Sequence, residues 1–431
     1  MNNLLISCII IVFWIPSGCR AKYRIPNLEF EVFKPSGLKV SLPAETGVEL
    51  FAFHAKVNQP ILQIEPGDIS QDVKKSVNGK FTYFNPDVML QKGDVLNYWV
   101  FVQHNRFGYR KDEQIWIVNE ISSNNETQDS VLKDLCIGNT IGNYTFKENF
   151  IDAKTWLIEE YIPGDPDWQF NIYKNSPDII EVKNGVLHIK PKLQLENARI
   201  DLNLTKNCTR HGKECSRSYL SIWNPPIVSG QLRSVQSFCF ANVTIKAKLP
   251  IGDYVYPEIY LEDVSNPRRR ILIAFSRGNM NYERNGVDEG GKRLLGGPYI
   301  NMKKPDKISG NSALRSYSSR EHIGTYWHVF HMSWTPVELK LYIDDLLYGE
   351  YDSETLQREG FNKNLLMKLV IGIAAGGPYE FPDQYTSSGI KKPYNLSRDA
   401  IKQFVNNQDL WKNTWSADTQ LQVEYVYINA V

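Results

Sequence analysis

The sequence predicts an all-β protein built from two successive β-sandwich domains. Short runs that alternate apolar and polar residues recur from about Tyr23 to Val118, and similar runs continue through the larger C-terminal part. Side chains alternate along a strand, and short strands broken at regular intervals by turn residues are typical of sandwiches. A stretch poor in apolar residues, 122–130, separates the two sets of runs and is typical of a linker.

The composition argues against several classes of protein. The chain has 431 residues, of which 42% are hydrophobic and 23% charged, as in globular proteins of two or three domains. Lysine and arginine total 49 against 48 aspartates and glutamates, and Arg268–Arg270 is the only run of three basic residues. Nothing in this balance indicates a nucleic-acid partner. We expect no cofactor and no metal site.

The first 21 residues have the pattern of a signal peptide. An apolar run over residues 4–15 is followed by Pro16-Ser-Gly and a small residue, Ala21. The run is too short for a bilayer, which requires about 20 apolar residues. No other segment is apolar enough to span a membrane, so we expect a secreted, extracellular protein.

Four cysteines remain after the leader, Cys136, Cys208, Cys215 and Cys239, and they allow three pairings. The polar, glycine-containing turn between Cys208 and Cys215 favours a local disulfide there, which leaves Cys136 with Cys239. Zinc is the alternative. It is disfavoured because only His211 is nearby and the spacing fits no common site.

Six Asn-x-Ser/Thr sequons are consistent with the same compartment, since N-glycosylation is a modification of secreted proteins. The predicted sites are Asn125, Asn143, Asn203, Asn207, Asn242 and Asn395.

Residues 22–119 are predicted to form an immunoglobulin-like β-sandwich, and 120–133 a linker. Four segments, Pro35–Pro43, Phe51–Asn58, Gly93–Trp99 and Phe107–Arg110, resemble carbohydrate-binding module family 39 of the invertebrate β-1,3-glucan recognition proteins. These are also called Gram-negative-bacteria-binding proteins. The resemblance implies a glucan-binding module in this part of the chain.

The chain departs from that family at Gly79-Lys-Phe81, where the family has Gly-x-Trp followed by a loop rich in arginine and aspartate. Aromatic faces stack on sugars and arginines donate to hydroxyls, so this change removes contacts. Residues near turns are the better candidates for a sugar-facing surface. The carbohydrate-binding candidates in this domain are Asp68, Asp72, Phe81, Tyr83 and Arg110, while Trp99 and Phe101 are predicted core residues. The alternative is that the aromatic candidates also pack in the core.

Residues 134–431 are predicted to form the second sandwich. The apolar segment Arg270–Phe275 reads as a buried strand, and Ser276-Arg-Gly-Asn279 closes it. Preceded by Lys246–Gly252 and Tyr254–Tyr260, it resembles the active-site region of glycoside hydrolase family 16, whose members cleave β-1,3- and β-1,3(4)-glucans. The resemblance implies a concanavalin-like β-sandwich (jelly roll).

The catalytic motif of that family, Glu-x-Asp-x-x-Glu, falls on Arg270, Leu272 and Phe275. A retaining glycosidase needs two carboxyl groups roughly 5 Å apart, one to attack and one to donate a proton. Arginine stays protonated in proteins and phenylalanine has no proton to transfer. We therefore expect a hydrolase fold without hydrolase chemistry, and no enzyme.

Three tyrosines, Tyr254, Tyr256 and Tyr260, stand where the family usually carries tryptophans that line the cleft. They are candidates for a sugar groove that binds without hydrolysis. The alternative is that they pack into a groove narrowed by neighbouring bulky side chains. A displaced catalytic pair, Glu258 with Glu262, is conceivable but disfavoured, because catalysis requires positions held within about half an ångström.

The resulting hypothesis is a secreted pattern-recognition protein of innate immunity. It would bind β-1,3-glucan, or a related microbial polymer such as lipopolysaccharide or peptidoglycan, without hydrolysing it. The resemblance further implies partners in a serine-protease cascade. Two alternatives stay open: an active β-1,3-glucanase, and a protein-interaction module with no remaining sugar site.

Overall fold

The computed structural model describes residues 23–33, 37–62, 65–85, 88–121, 143–145, 150, 155–164, 167–210, 214–218, 223–300, 311–361, 365–377 and 379–430. The predicted leader, most of the predicted linker, Cys136 and Asn125 lie outside these ranges. The chain divides into two compact units. The first takes the described parts of 1–31, 39–83 and 90–121, and the second takes those of 32–38, 84–89 and 122–431. The predicted all-β class is confirmed.

The N-terminal strands form two sheets. They are β1 (Glu29–Val32), β2 (Leu38–Pro43), β3 (Val48–Val57), β4 (Ile69–Val73), β5 (Lys80–Asn85), β6 (Val95–His104) and β7 (Phe107–Ile117). One sheet has the order β1-β2-β5 and the other β4-β3-β6-β7. Side chains at alternate positions, such as Leu42 in β2, Phe53 in β3 and Val100 in β6, are fully buried. The period of two thus gives each sheet an inner, apolar face.

The second unit contains many more strands. Its first half has β8 (Asn143–Thr145), β9 (Trp156–Ile158), β10 (Asn171–Tyr173), β11 (Ile180–Lys183), β12 (Val186–Ile189), β13 (Lys192–Leu193), β14 (Leu202–Asn203), β15 (Ser216–Arg217), β16 (Ile227–Ser229), β17 (Gln231–Ser234), β18 (Ala241–Lys248), β19 (Val255–Asp263) and β20 (Arg269–Phe275). Its second half has β21 (Tyr282–Arg284), β22 (Val287–Asp288), β23 (Arg293–Ile300), β24 (Arg315–Ser318), β25 (His328–Trp334), β26 (Glu338–Ile343), β27 (Leu346–Asp352), β28 (Met367–Ala375), β29 (Thr386–Ser387), β30 (Ile390–Lys391) and β31 (Leu421–Ala430).

Helices are short in this unit. Among the described residues, the α-helices are α1 (Ser353–Arg358) and α2 (Ala400–Asn406), and 3₁₀ turns lie at Leu195–Arg199, Ile323–Thr325, Gln408–Leu410 and Lys412–Thr414. The side chain of Asp352 caps α1 by accepting from the Thr355 N–H. Within the described ranges, no helix has the length and apolar character needed to cross a lipid bilayer.

Two large sheets form the second sandwich. One runs β24-β23-β20-β19-β28-β17-β9, and the other runs β11-β12-β31-β18-β25-β26-β27 with β8 also paired to β31. Ile259 and Ile271 of the first sheet share one hydrophobic cluster with Val243 and Phe330 of the second. This packing is the predicted jelly-roll architecture. It leaves the opposite face of the seven-stranded sheet, here called the cleft face, to carry Glu258, Tyr260 and their neighbours.

Candidate functional site

A β-bulge in β20 determines which side chains reach the cleft face. Leu272 pairs with Tyr260 of β19, but the next pair is Ala274 with Ile259, so Ile273 is an extra residue. Pairing with β23 shifts over the same interval, from Leu272 with Gly297 to Phe275 with Leu295. A bulge re-aims the side chains that follow it. The spacing 270, 272 and 275 therefore places all three side chains on the cleft face.

Arg270 is held on this face by ion pairs. Its two terminal nitrogens donate to the carboxylate oxygens of Asp167 at 2.8 and 3.0 Å, and one also contacts Glu262 at 3.3 Å. The guanidinium lies 4.6 Å from the centroid of the Tyr260 ring. Arg270 is only 6% exposed. The loop that carries Asp167 is thereby anchored across the face that a glucan would occupy in a hydrolase.

Phe275 fills the adjoining space. Its ring centroid lies 5.5 Å from that of Tyr256, and both side chains are buried. A cavity of about 30 Å³ remains between them and Arg270. Ligand pockets usually measure about 300–1,000 Å³, whereas a water molecule needs only about 10–15 Å³ of such volume. A cavity of this size has room for one or two water molecules between the packed side chains.

The expectation of a sugar groove at Tyr254, Tyr256 and Tyr260 is corrected by this packing. Their exposed fractions are 1%, 4% and 5%. Tyr254 belongs to an aromatic cluster in which Phe381 lies 5.2 Å away, and Tyr260 is covered by Arg270. The bulky residues Arg270 and Phe275 close the groove over Tyr260 and Tyr256, which is the alternative that the sequence left open, while Tyr254 packs among other aromatic rings.

Glu258 and Glu262, the disfavoured displaced pair, are each engaged by other side chains of the cleft face. Glu262 accepts a hydrogen bond from Arg270 at 3.3 Å. Glu258 accepts from Tyr173 Oη at 2.6 Å and from Gln231 Nε2 at 2.8 Å, and burial raises its pKa to about 7.

A second group of ion pairs covers the same face further along the sheet. Glu159, fully buried, contacts Arg233 at 2.8 Å and Arg210 at 3.1 Å, and both arginines approach Glu262 at 3.9 to 4.0 Å. Arg210 lies in the loop closed by a disulfide between Cys208 and Cys215, whose Cα atoms are 5.5 Å apart. A short covalent loop thus positions Arg210 over the cleft face.

The other cysteines are only partly described. Cys239 is disulfide-bonded, and its expected partner, Cys136, lies outside the described ranges, so that pairing stays a prediction. Among described residues, no group of three or more His, Cys, Asp or Glu side chains could hold a metal ion.

Two of the N-terminal candidates, Asp72 and Arg110, share the outer face of the four-stranded sheet. Asp72 pairs with Ala52, Ala52 with Phe101, and Phe101 with Arg110, which places them in one row across four strands. Asp68 precedes β4 by one residue and is exposed, as are Asp72 and Arg110. The row contains an acidic and a basic side chain with an aromatic ring between them.

Phe101, which the sequence analysis assigned to the core, lies in the same row on the outer face. It is half-buried, and its ring lies over Gly108, where an added Cβ would come within 2.6 Å of Phe101 Cε2. The glycine therefore leaves room for the ring to lie against the sheet. The alternation of side chains in β6 could have predicted this position. Val100 and Val102 point inward, so Phe101 between them points outward.

Phe81 and Tyr83 are the N-terminal candidates that the structure corrects. They are 4% and 3% exposed, and the Tyr83 ring lies 5.5 Å from that of Phe53 in the core. Thr82 lies between them on the opposite face of β5, where its hydroxyl is hydrogen-bonded with that of Ser41. Neither ring face can stack on a sugar in this arrangement.

The predicted glycosylation sites differ in their surroundings. Asn203, Asn207 and Asn395 are exposed, and Asn242 is half-buried on β18. Asn143 lies in β8. Whether any of them carries a glycan stays a prediction.

The comparisons with known proteins agree with this architecture. The CBM39 family model, described as a carbohydrate binding domain (family 32), matches residues 24–130. A laminarinase catalytic domain from Thermotoga maritima aligns with 67% of this chain and 96% of its own, at 16% identity and a TM-score of 0.44. The sheets described above and the family match together indicate a modular all-β protein in which a region similar to a carbohydrate-binding domain precedes a larger sandwich.

Full-length relatives narrow the class. A β-1,3-glucan-binding protein of Hyphantria cunea is 31% identical over 95% of this chain and 96% of its own. One of Tenebrio molitor is 28% identical over 98% and 99%. Gram-negative bacteria-binding protein 3 of Drosophila melanogaster is 24% identical over 98% and 97%. The chain belongs to the family of β-1,3-glucan-binding and Gram-negative bacteria-binding proteins.

Proposed function

We propose that this chain is a secreted pattern-recognition protein that binds β-1,3-glucan, or a related microbial surface polysaccharide, and does not hydrolyse it. The names of the relatives support the binding part of this proposal, because they are named as binding proteins. The observation that carries the absence of hydrolysis is Arg270, clamped by Asp167 and Glu262 at the position expected for a catalytic carboxylate.

The binding surface in this proposal is the outer face of the four-stranded N-terminal sheet. The half-buried ring of Phe101 supplies a flat apolar face for a pyranose. Asp72 and Arg110 flank it in the same row, and their charged groups can bond sugar hydroxyls from either side. One half of the face is closed, because Trp99 stacks on His54 and donates to Glu65 O at 2.7 Å. The glucan would therefore lie over the Phe101 half.

The signal peptide pattern and the sequons support secretion, and the family resemblance supports a serine-protease cascade as the downstream partner. A protein-interaction module is the second candidate. It is favoured by one observation, the burial of Phe81, Tyr83 and the cleft tyrosines, which leaves fewer rings for a sugar.

The test is co-sedimentation of the purified protein with curdlan, lipopolysaccharide and peptidoglycan. We expect retention on curdlan, and about tenfold weaker retention for Phe101→Ala and for Arg110→Ala, equivalent to a loss of about 1.4 kcal/mol. Lys92→Ala, at another exposed basic position, is the matched control and should bind as the unmodified protein does. Absence of retention on all three polymers would support the interaction module instead.

A further inference from the structure

The outer face of the eight-stranded sheet carries a row of aromatic side chains that the proposed function does not use. Thr244 in β18 pairs with Tyr427 on one side and with His331 on the other, and His331 pairs with Tyr342. All four side chains are partly exposed. We call these four residues the outer aromatic row. It spans three strand spacings, about 14 Å.

The row offers several ring faces, which are tilted relative to one another by 43° to 46°. The rings of His331 and Tyr342 lie 5.4 Å apart, and Tyr425 extends the surface with its ring 4.8 Å from that of Tyr427. The Thr244 hydroxyl and His331 Nδ1 are 2.9 Å apart, which orients the imidazole. Partial burial lowers the pKa of His331, so the ring is neutral near pH 7. Such a surface offers stacking faces and hydroxyl groups to a sugar.

A glycosylation sequon lies on the same face, beside the row. Asn242-Val-Thr244 lies within β18, in which burial alternates, so Asn242 and Thr244 both point away from the core. The Asn242 Oδ1 is buried and has no hydrogen-bond partner among the described residues. Its cross-strand neighbours are Asn429 and Ser333, which are short. The Asn242 side chain is half-buried, and neither cross-strand neighbour is a large residue.

We propose that an N-linked glycan on Asn242 packs over the outer aromatic row and shields this face of the second sandwich. Asn242 lies two residues from Thr244, about 7 Å along the strand, so the first sugars of an attached glycan reach the row. Covalent attachment gives the glycan a high effective concentration there, and a free polysaccharide lacks that advantage. The inference rests on the proposed secretion of the chain but not on glucan binding.

The first measurement is site occupancy in protein secreted from insect cells. Peptides released by enzymatic deglycosylation in ¹⁸O-water should show Asn242 converted to labelled aspartate. Glycans at Asn203, Asn207 or Asn395 with none at Asn242 would overturn this inference alone. The absence of glycans at every sequon would overturn both this inference and the proposal of a secreted glycoprotein.

The second measurement asks whether the glycan contacts the row. Thermal unfolding of Asn242→Gln should occur about 2–4 °C lower than in the unmodified protein, as for loss of one aromatic contact in a large domain. Asn395→Gln, which removes an exposed loop sequon, is the matched control and should leave the midpoint unchanged.

A double-mutant cycle with Tyr427→Ser separates a contact between the glycan and the row from a local effect of the Asn242→Gln substitution. In protein that already carries Tyr427→Ser, Asn242→Gln should lower the unfolding midpoint by less than half as much as it does in the unmodified protein. Equal shifts in both backgrounds would show that the glycan does not lie on the row. If Asn242→Gln is not secreted, trimming the glycan enzymatically in the two backgrounds gives the same comparison.

Discussion

Reversing the charge at Arg270 removes the cation around which the closed cleft face is organised. In Arg270→Glu, the new carboxylate would lie beside Asp167 and Glu262, which now receive hydrogen bonds at 2.8 to 3.3 Å. Three carboxylates would then share a buried site, and like charges this close disfavour joint ionisation. We expect the second sandwich to be markedly less stable while the N-terminal module is unaffected.

The size of the effect follows from burial. Arg270 is 6% exposed and the Asp167 side chain 15%, so solvent screens the pair little. Removing one partner of a buried ion pair costs about 3–5 kcal/mol, because the remaining charge is left unpaired. Arg210 and Arg233 lie 3.9 to 4.0 Å from Glu262 and offset part of this cost. We therefore expect a loss of about 3–4 kcal/mol.

Urea unfolding followed by tryptophan fluorescence measures this loss, and urea leaves the ion pairs unscreened by salt. Arg320→Glu makes the same charge change at an exposed position and should stay within about 0.5 kcal/mol of the unmodified protein. A change below about 1 kcal/mol for Arg270→Glu would refute the reasoning, since it would mean that Asp167 and Arg270 are not a buried pair in solution.

Restoring the family's motif should not restore its chemistry. Combining Arg270→Glu with Leu272→Asp and Phe275→Glu supplies the missing carboxylates, but the loop anchored by Arg210 and Glu159 still covers the face. Substrate-positioning contacts are also absent, and these supply much of the transition-state binding. We expect laminarin hydrolysis near background. Turnover at rates ordinary for a glycosidase would show that the groove opens readily.

Three further predictions concern other parts of the chain. Glu258→Gln should remove part of the pH dependence of the free energy of unfolding. In the folded protein, the pKa of Glu258 is raised from 4.5 to about 7. The contribution of this side chain to stability therefore falls as the pH rises from about 4.5 to 7. The variant should gain on the order of 2–3 kcal/mol relative to the unmodified protein between about pH 5 and 8, and parallel pH profiles would contradict this. A non-reducing peptide map should contain Cys136 linked to Cys239, and a free thiol at either would contradict the pairing. A fragment of residues 22–122 should fold alone and retain most curdlan binding, because both N-terminal sheets are complete within it. A folded fragment that does not bind, beside full-length protein that does, would move the sugar site to the second sandwich.

The fold was largely predictable because its signals are local. Alternation and turn residues identified both sandwiches, and Ser276-Arg-Gly-Asn279 placed Arg270, Leu272 and Phe275 on a single strand. The bulge that aims all three at one face depends on the neighbouring strands, so spacing alone did not reveal it.

The site was less predictable because its contacts are distant in sequence. The partner of Arg270 is Asp167, 103 residues earlier, and that of Arg210 is Glu159, 51 residues earlier. Phe81 and Phe101 were assigned to the wrong sides of the first sandwich for a related reason. Nearness to a turn favoured Phe81 as exposed and an apolar run favoured Phe101 as buried, whereas alternation in β5 and β6 decides both.

Size-exclusion chromatography of laminarin mixed with an equimolar amount of protein tests glucan binding and the absence of cleavage together. The protein should co-elute with laminarin, and the size distribution of the polysaccharide should be unchanged after prolonged incubation. The appearance of shorter oligosaccharides, or elution of the protein at its unmixed position, would contradict this prediction.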